Sequence, residues 1–340
     1  MKRLIRMDNP KRILIIQLKR AGDVIVTTPV LASLRAVLPE SKIDFLVDQP
    51  FAPLLENNPH IDKVQVYDRQ ALRSTWRRLR DASYDWILDF QSSPRSVLAG
   101  LYSGARLRYG YGVPFWGRFF YRAIPRPGGG VSATEGKMSL VRALLPQVPL
   151  AGERRIYLME KEREWAVTQM GSAGKGAIGL VPTHRRASRR WPASYFAELS
   201  RRLISSGHPV WFFWGPGEKD YVEAIGRQVP ETRMIPETSL REMAALLNQC
   251  KIVVTNDNGP MHLASAVGAP TVTIYGPTDP ACWNPGGPRH RVLQAAHLSC
   301  LGCNLNDCPF GHECMEGVTP DRVVSEVEDM LSGVLAEAPR

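Results

Sequence analysis

Lys251 to Pro280 reads KIVVTNDNGPMHLASAVGAPTVTIYGPTDP. Ile252 to Val254 is a β-branched run. It stops at Thr255-Asn256-Asp257-Asn258-Gly259-Pro260, a cluster of residues that favour turns over strand. Beyond Pro260 the apolar positions Met261, Leu263, Ala264, Ala266 and Val267 fit a helix, with Gly268 near its end. Thr271 to Tyr275 is the next strand. Strand, polar turn, helix and strand in one short stretch make a βαβ unit, whose turn and helix start lie at the carboxyl edge of a parallel sheet, where ligands bind. The fold class that follows is α/β.

The helix start presents N–H groups at Gly259, Met261 and His262, and its dipole favours an anion such as phosphate. Asp257 or Asn258 could instead act only as a helix cap. A cap needs one such residue, and this turn carries Asn256, Asp257 and Asn258 together, with His262 one turn on. The excess favours a ligand site.

Two neighbouring turns belong with it. A strand at Ala177 to Val181 runs into Pro182-Thr183-His184-Arg185-Arg186-Ala187-Ser188-Arg189-Arg190-Trp191-Pro192, before a helix from about Ala193 to Ser205. The four arginines of that loop either gather round an anion that relieves their mutual repulsion or form a solvated basic loop. The strand Pro209 to Trp214 ends in Gly215-Pro216-Gly217-Glu218, where Glu218 stands either as a ribose-binding carboxylate or as the cap of the next helix. A helix from Arg241 to Asn248 leads back to Lys251. These three turns leave one sheet at one edge and could enclose a nucleotide.

Towards the N-terminus, Ile13 to Leu18 is a strand, followed by Lys19-Arg20-Ala21-Gly22-Asp23 and a helix from Val24 to about Leu38. One glycine in this turn is not the three-glycine dinucleotide fingerprint. Asp23 is either a first-turn acid of the helix or a carboxylate able to take a proton from an attacking hydroxyl. Lys42 to Val47 and Asp85 to Phe90 are further strands. Residues 104 to 137 show no sustained period. They set Tyr109, Tyr111, Phe115, Trp116, Phe119 and Phe120 beside Arg106, Arg108, Arg118 and Arg122, a pattern suited to an amphiphilic acceptor, to a membrane surface, or to a loop tucked over the core. Gly171 to Gly176 reads as a flexible hinge between two domains.

The chain has 340 residues and a formal net charge of +10, mostly from arginine. Phosphorylated ligands and anionic headgroups suit that surplus. No nucleic-acid motif accompanies it, and nucleic acid is not expected as a partner. No run approaches the length of a membrane span, and Ile13 to Ile16 is too short for the core of a signal peptide. A cytoplasmic protein is expected, free or peripherally attached. Four of the six cysteines form Cys300-x2-Cys303-x4-Cys308-x5-Cys314, a spacing that allows a structural metal or redox-sensitive thiols, with no catalytic role.

LIIQLKRAGDVIVTTPVLASLR near the start, RRWP, WGPGE and TNDNGPMHLASAVGAPTVTIYGPTDP together resemble the ADP-heptose:lipopolysaccharide heptosyltransferases, family nine of the glycosyltransferases. The C-terminal CMEGVTPDRV is also similar to that of many members. The resemblance implies a GT-B fold, with two Rossmann-like domains facing a central cleft. An acceptor domain of residues 1–170, a nucleotide-sugar domain of residues 171–320 and a terminal helix in 321–340 crossing back to the first domain are then expected. It also implies an inverting, metal-independent transfer of heptose from ADP-heptose to the lipopolysaccharide inner core, needing no cofactor, by a peripheral enzyme on the inner face of the inner membrane. Asp23 falls on the family's candidate base, and Arg189 on a phosphate-contacting position where members usually carry lysine. Asn258, Gly259 and Pro260 fall on the diphosphate turn, with Thr183 and His262 around it, Asp257 reaching the sugar and Glu218 near the ribose. Gly22, Arg106, Arg108 and Arg118 are left for the acceptor. Asn258 stands where a serine or threonine is more usual. The competing expectations are a transferase or epimerase for another nucleotide sugar, and a non-catalytic nucleotide-sugar-binding protein.

Overall fold

A computed structural model describes residues 9–125 and 128–334. The chain divides into two compact units, Met1–Arg154 and Arg155–Arg340.

In the first unit the strands are β1 (Arg12–Ile16), β2 (Lys42–Asp48), β3 (Lys63–Tyr67), β4 (Trp86–Asp89), β5 (Leu107–Tyr111) and β6 (Arg122–Ile124). Between and after them run helices α1 (Ala21–Val37), α2 (Leu72–Asp81), α3 (Pro94–Tyr102) and α4 (Ala133–Arg142). All neighbours pair in parallel, in the order β3-β2-β1-β4-β5-β6. The central strand shows why: Ile13, Leu14, Ile15 and Ile16 are each 0 % exposed, as a strand covered by helices on both faces requires.

The second unit repeats the plan. It opens with helix α5 (Glu160–Met170) and alternates strands β7 (Ile178–Val181), β8 (Val210–Phe212), β9 (Arg233–Met234), β10 (Ile252–Asn256), β11 (Thr271–Tyr275) and β12 (His290–Gln294) with helices α6 (Ala193–Ser205), α7 (Lys219–Gly226), α8 (Leu240–Gln249), α9 (Gly259–Ala266) and α10 (Pro280–Trp283). The short α11 (Glu313–Glu316) and α12 (Pro320–Asp329) follow. The parallel order is β12-β11-β10-β7-β8-β9, so β7 and β10 hold the places that β1 and β4 hold in the first sheet. At each of these two pairs the winding direction reverses, and the connections leave on opposite faces. A crevice opens there at the carboxyl ends of the strands.

One expectation is corrected. Residues 104 to 137 are not one long loop: β5 and β6 lie within them. Gly110 in β5 is required by close approach, since a Cβ there would lie 2.7 Å from Ser92 Oγ. The division into compact units falls before α5. Helix α5 packs on α8, and Arg241 of α8, only 6 % exposed, meets Glu162 of α5 at 2.5 Å. Helix α12 packs against α6, with Val323 and Val327 buried and Arg291 paired with Glu326 at 3.3 Å. Residues 335–340 of the expected terminal helix lie outside the described residues. Among the described residues no helix is long and apolar enough to cross a membrane.

Candidate active site

In the second unit the crevice between β7 and β10 gathers most of the expected donor residues. Asn258 is the N-cap of α9, and its Oδ1 accepts from Met261 N–H at 3.0 Å and from the Thr255 hydroxyl at 3.0 Å. Its Nδ2 donates to the Thr183 carbonyl at 2.8 Å, and Asn256 Oδ1 accepts from Trp191 N–H at 2.9 Å. The two asparagines are therefore clamps that tie the arginine loop after β7 to the end of β10. Their abundance in the turn reflects this crosslinking, a reason the sequence did not disclose. The anion site at α9 is narrower than expected, because Met261 N–H is spent on Asn258 and Pro260 has none to offer. The Gly259 N–H remains at the first turn.

Asp257 and Arg189 face each other at 3.3 Å, both largely buried. Burial raises the Asp257 carboxyl above its ordinary range against the Thr278 hydroxyl, Arg189 and Arg186, which pull it down. Burial likewise lowers Arg189, with Asp257 opposing. Arg189 also donates to Asn304 Oδ1, a contact with the cysteine-bearing loop that no sequence signal announced. Among the described residues its buried Nε has no hydrogen-bond partner, so this guanidinium retains a donor.

The other arginines differ. Arg190 stacks over Tyr221 with 5.0 Å to the ring centroid and donates to the His184 carbonyl at 2.6 Å, a structural use, while Arg185 is exposed and Arg186 half-buried. His184 is pushed down to about 4 by burial and by the charges of Arg189, Arg186 and Arg190, against the backbone contact at Arg186, which pulls it up, so it stands neutral at pH 7. Glu218 Oε2 accepts from Gly215 N–H at 3.0 Å, within its own turn. His262 is buried, its ring edge-on to Trp283 with centroids 6.1 Å apart.

In the first unit the crevice between β1 and β4 holds Asp23. It is half-buried at the third position of α1, and its Oδ2 accepts from Arg20 N–H at 3.3 Å. A polar network below fixes this turn. Lys137 Nζ, buried on α4, donates to Gln17 Oε1 at 2.7 Å. Gln17 Nε2 donates to the Lys19 carbonyl at 2.6 Å and to Gln91 Oε1 at 3.0 Å, and Gln91 Oε1 also accepts from Lys19 N–H at 3.1 Å. Sequence reasoning passed over all three. Beside them Asp89 is 0 % exposed, and burial pushes its carboxyl up to about 7, against Ser92 N–H, the Ser96 hydroxyl, Gln91 N–H and Lys137.

That displacement has a definite sign. The folded state binds a proton at Asp89 that the unfolded chain, titrating near ~3.9, has already lost. The contribution is full below about pH 4 and is lost as pH rises through about 7. Asp89→Asn, which keeps the acceptor facing Gln91 and Ser92, is expected to flatten the fall in stability between those limits by up to a few kcal/mol, roughly 1.4 per unit. Urea unfolding of both proteins at stepped pH checks it; equal pH slopes would refute the assignment.

The residues left for the acceptor separate. Gly22 is half-buried in the first turn of α1, and Arg106 and Arg118 are exposed. Arg108 is engaged with backbone, donating to the carbonyls of Ala105 and Phe120, the latter at 3.0 Å.

The cysteines lie on the rim of the β7–β10 crevice. Gly302 N–H reaches the Gly276 carbonyl at 3.2 Å, and Ser188 Oγ the Leu305 carbonyl at 3.2 Å. Cys314 is buried and pushed up to about 11 by that burial and by Cys308, Cys300 and Cys303. Among the described residues no three His, Cys, Asp or Glu side chains are grouped as metal ligands.

The family model of glycosyltransferase family 9 (heptosyltransferase) matches residues 72–313. The chain is 26 % identical over 356 residues to lipopolysaccharide heptosyltransferase 1 of Pseudomonas aeruginosa, covering 94 % of this chain and 98 % of that protein. A family 9 glycosyl transferase from Veillonella parvula superposes with a TM-score of 0.87 at 24 % identity, covering 96 % of this chain and 98 % of that one. ADP-heptose lps heptosyltransferase II of Escherichia coli gives 0.79 at 25 % identity, covering 96 % and 100 %.

Proposed function

Since the chain belongs to glycosyltransferase family 9, the heptosyltransferases, we propose that it transfers heptose from ADP-heptose to the inner core of lipopolysaccharide, with inversion and without a metal. The donor and the acceptor class follow from the names of its relatives in Escherichia coli and Pseudomonas aeruginosa. In this reading an acceptor hydroxyl oxygen attacks the anomeric carbon of the sugar in line with the departing phosphate oxygen. The carbon–oxygen bond to phosphate breaks as the new glycosidic bond forms, and the hydroxyl proton passes to Asp23. One displacement inverts the anomeric centre. The diphosphate leaves with its charge met by Arg189 and by the N-terminus of α9, with Asp257 set toward the sugar and Thr183, Glu218 and His262 around the nucleotide. Working on a lipid-linked acceptor, such an enzyme is cytoplasmic and peripheral on the inner membrane.

Gly259 is the observation that carries the reading. A Cβ added there meets nothing within 4 Å, and its φ is not in the left-handed region. The protein's own packing gives no reason for glycine at the first position of α9, whereas a phosphate resting on that backbone does. Gly259→Ala is therefore expected to keep or slightly raise thermal stability, by about 0.5–1 kcal/mol, and to weaken ADP binding about tenfold. Calorimetry of both proteins with ADP-heptose, ADP and UDP tests this. A preference for UDP over ADP would overturn the donor assignment, and undiminished ADP binding by the variant would remove the diphosphate from α9. Elemental analysis of the reduced protein decides whether the cysteine loop carries a metal.

A further inference from the structure

We infer that the turn between β5 and β6 is a docking knob for an anionic phospholipid bilayer, seated at the sheet edge that carries Asp23. From Phe90 to Thr134 the sequence holds no aspartate or glutamate and six arginines. At its middle a turn of 3-10 helix, Phe115–Phe119, leaves Phe115 77 % exposed, Phe119 76 % and the adjoining Phe120 51 %. The turn is nevertheless well anchored. Val113 and Tyr121 on either side are 2 % and 3 % exposed, and Gly117 is buried so close to α3 that a Cβ would lie 3.3 Å from Val97 Cγ1. The rings of Phe115 and Phe119 meet edge-on with centroids 5.9 Å apart. Such a fixed apolar tip in water is unfavourable unless something covers it.

The charge around the tip selects the cover. Arg118 within the turn and Arg122, two residues beyond Phe120, are exposed, with no carboxylate in the segment to offset them. Aromatic rings entering the interface while arginines meet phosphate headgroups is the pattern of an interfacial anchor on an anionic leaflet. Topology adds a consequence. The turn leaves the carboxyl end of β5, and β5 is two strands from β1, whose carboxyl end leads to Asp23. At ~4.8 Å per strand this puts lipid contact roughly 10 Å along the edge from the base. An acceptor anchored in that bilayer would be delivered to Asp23; this last step rests on the transferase reading, while the lipid contact does not.

The test uses the full chain and extruded vesicles free of lipopolysaccharide, either phosphatidylcholine alone or with phosphatidylglycerol. Cosedimentation is expected with the anionic vesicles only, weakening as salt rises. The Phe115→Ser/Phe119→Ser protein is expected to bind them at least about tenfold less tightly, and Arg118→Glu also less tightly, both with unchanged melting temperature. On a soluble, lipid-free core acceptor the double phenylalanine variant is expected to turn over like the parent. Equal vesicle binding by parent and phenylalanine variant overturns the inference. So does a parent that self-associates through these phenylalanines, seen as a sedimentation shift abolished in the variant, without binding lipid. Loss of turnover of soluble acceptor by the parent would instead count against the transferase reading, and leaves the vesicle result to stand or fall on its own.

Discussion

Replacement of Asp23 by asparagine is expected to lower kcat about 10²–10⁴-fold, the range for loss of a positioned general base, while donor affinity stays within twofold. The structure makes this substitution informative. Asparagine keeps an acceptor for Arg20 N–H, the single contact of the Asp23 side chain described above, so the first turn of α1 should persist. The turn is also held from below, independently of residue 23, by Lys137, Gln17 and Gln91. A first-turn carboxylate is worth about 0.3–1 kcal/mol through the helix dipole, so melting should shift by a few degrees at most. Single-turnover rates with saturating donor, together with calorimetric ADP binding, make the comparison. Turnover surviving within a few-fold would place the base elsewhere. A parallel loss of donor binding would mean that the variant disturbed more than proton transfer.

Arg189→Met is the second large effect, and it acts on binding, catalysis and stability together. Losing one preorganised cation at the leaving group is expected to reduce kcat about 10²–10³-fold. Arg189→Lys keeps the charge without the two-pronged geometry and should fall between the parent and the methionine variant in activity. The methionine variant also leaves Asp257 buried with its principal counter-charge gone. The Asp257 carboxyl, already raised by burial, rises further. For an acid whose folded value is raised, the associated stability is lost as pH climbs through that value. The melting temperature of Arg189→Met should therefore fall further below the parent at pH 8 than at pH 5. Thermal unfolding at both pH values, beside kinetics for Met and Lys, decides. Equal deficits at the two pH values would separate Asp257 from Arg189, and full activity in the methionine variant would end the leaving-group role.

How far the sequence could be read depended on the scale of each signal. The strands β1, β7, β10 and β11 were legible because they are buried on both faces and carry unbroken apolar runs. Strands β5 and β6 were hidden: LRYGY carries a glycine demanded by a tertiary neighbour, and Arg122–Ile124 spans three residues. The turns after β7, β8 and β10 were found from composition, but composition could not say which polar side chain served the fold. Asn256 and Asn258 turned out to be clamps, Arg190 a stack on Tyr221, and Glu218 a partner of its own turn. Arg189 and Asp257 find each other from 68 positions apart, a pairing set by tertiary packing. The same holds for Lys137 and Gln17, 120 positions apart, and no local pattern could have joined them.

The repeated strand order has a consequence for how such a protein can change. Each six-stranded sheet closes its own apolar interior, and each keeps its working turns outside that interior, at the reversal of winding. A lineage could therefore alter the turns around β1 and β4, or the knob beyond β5, while answering to one hydrophobic core only. Under the proposed transfer, new acceptors could be explored by the half of the gene that carries Asp23 while the half that carries Arg189 and Gly259 drifts at its own pace.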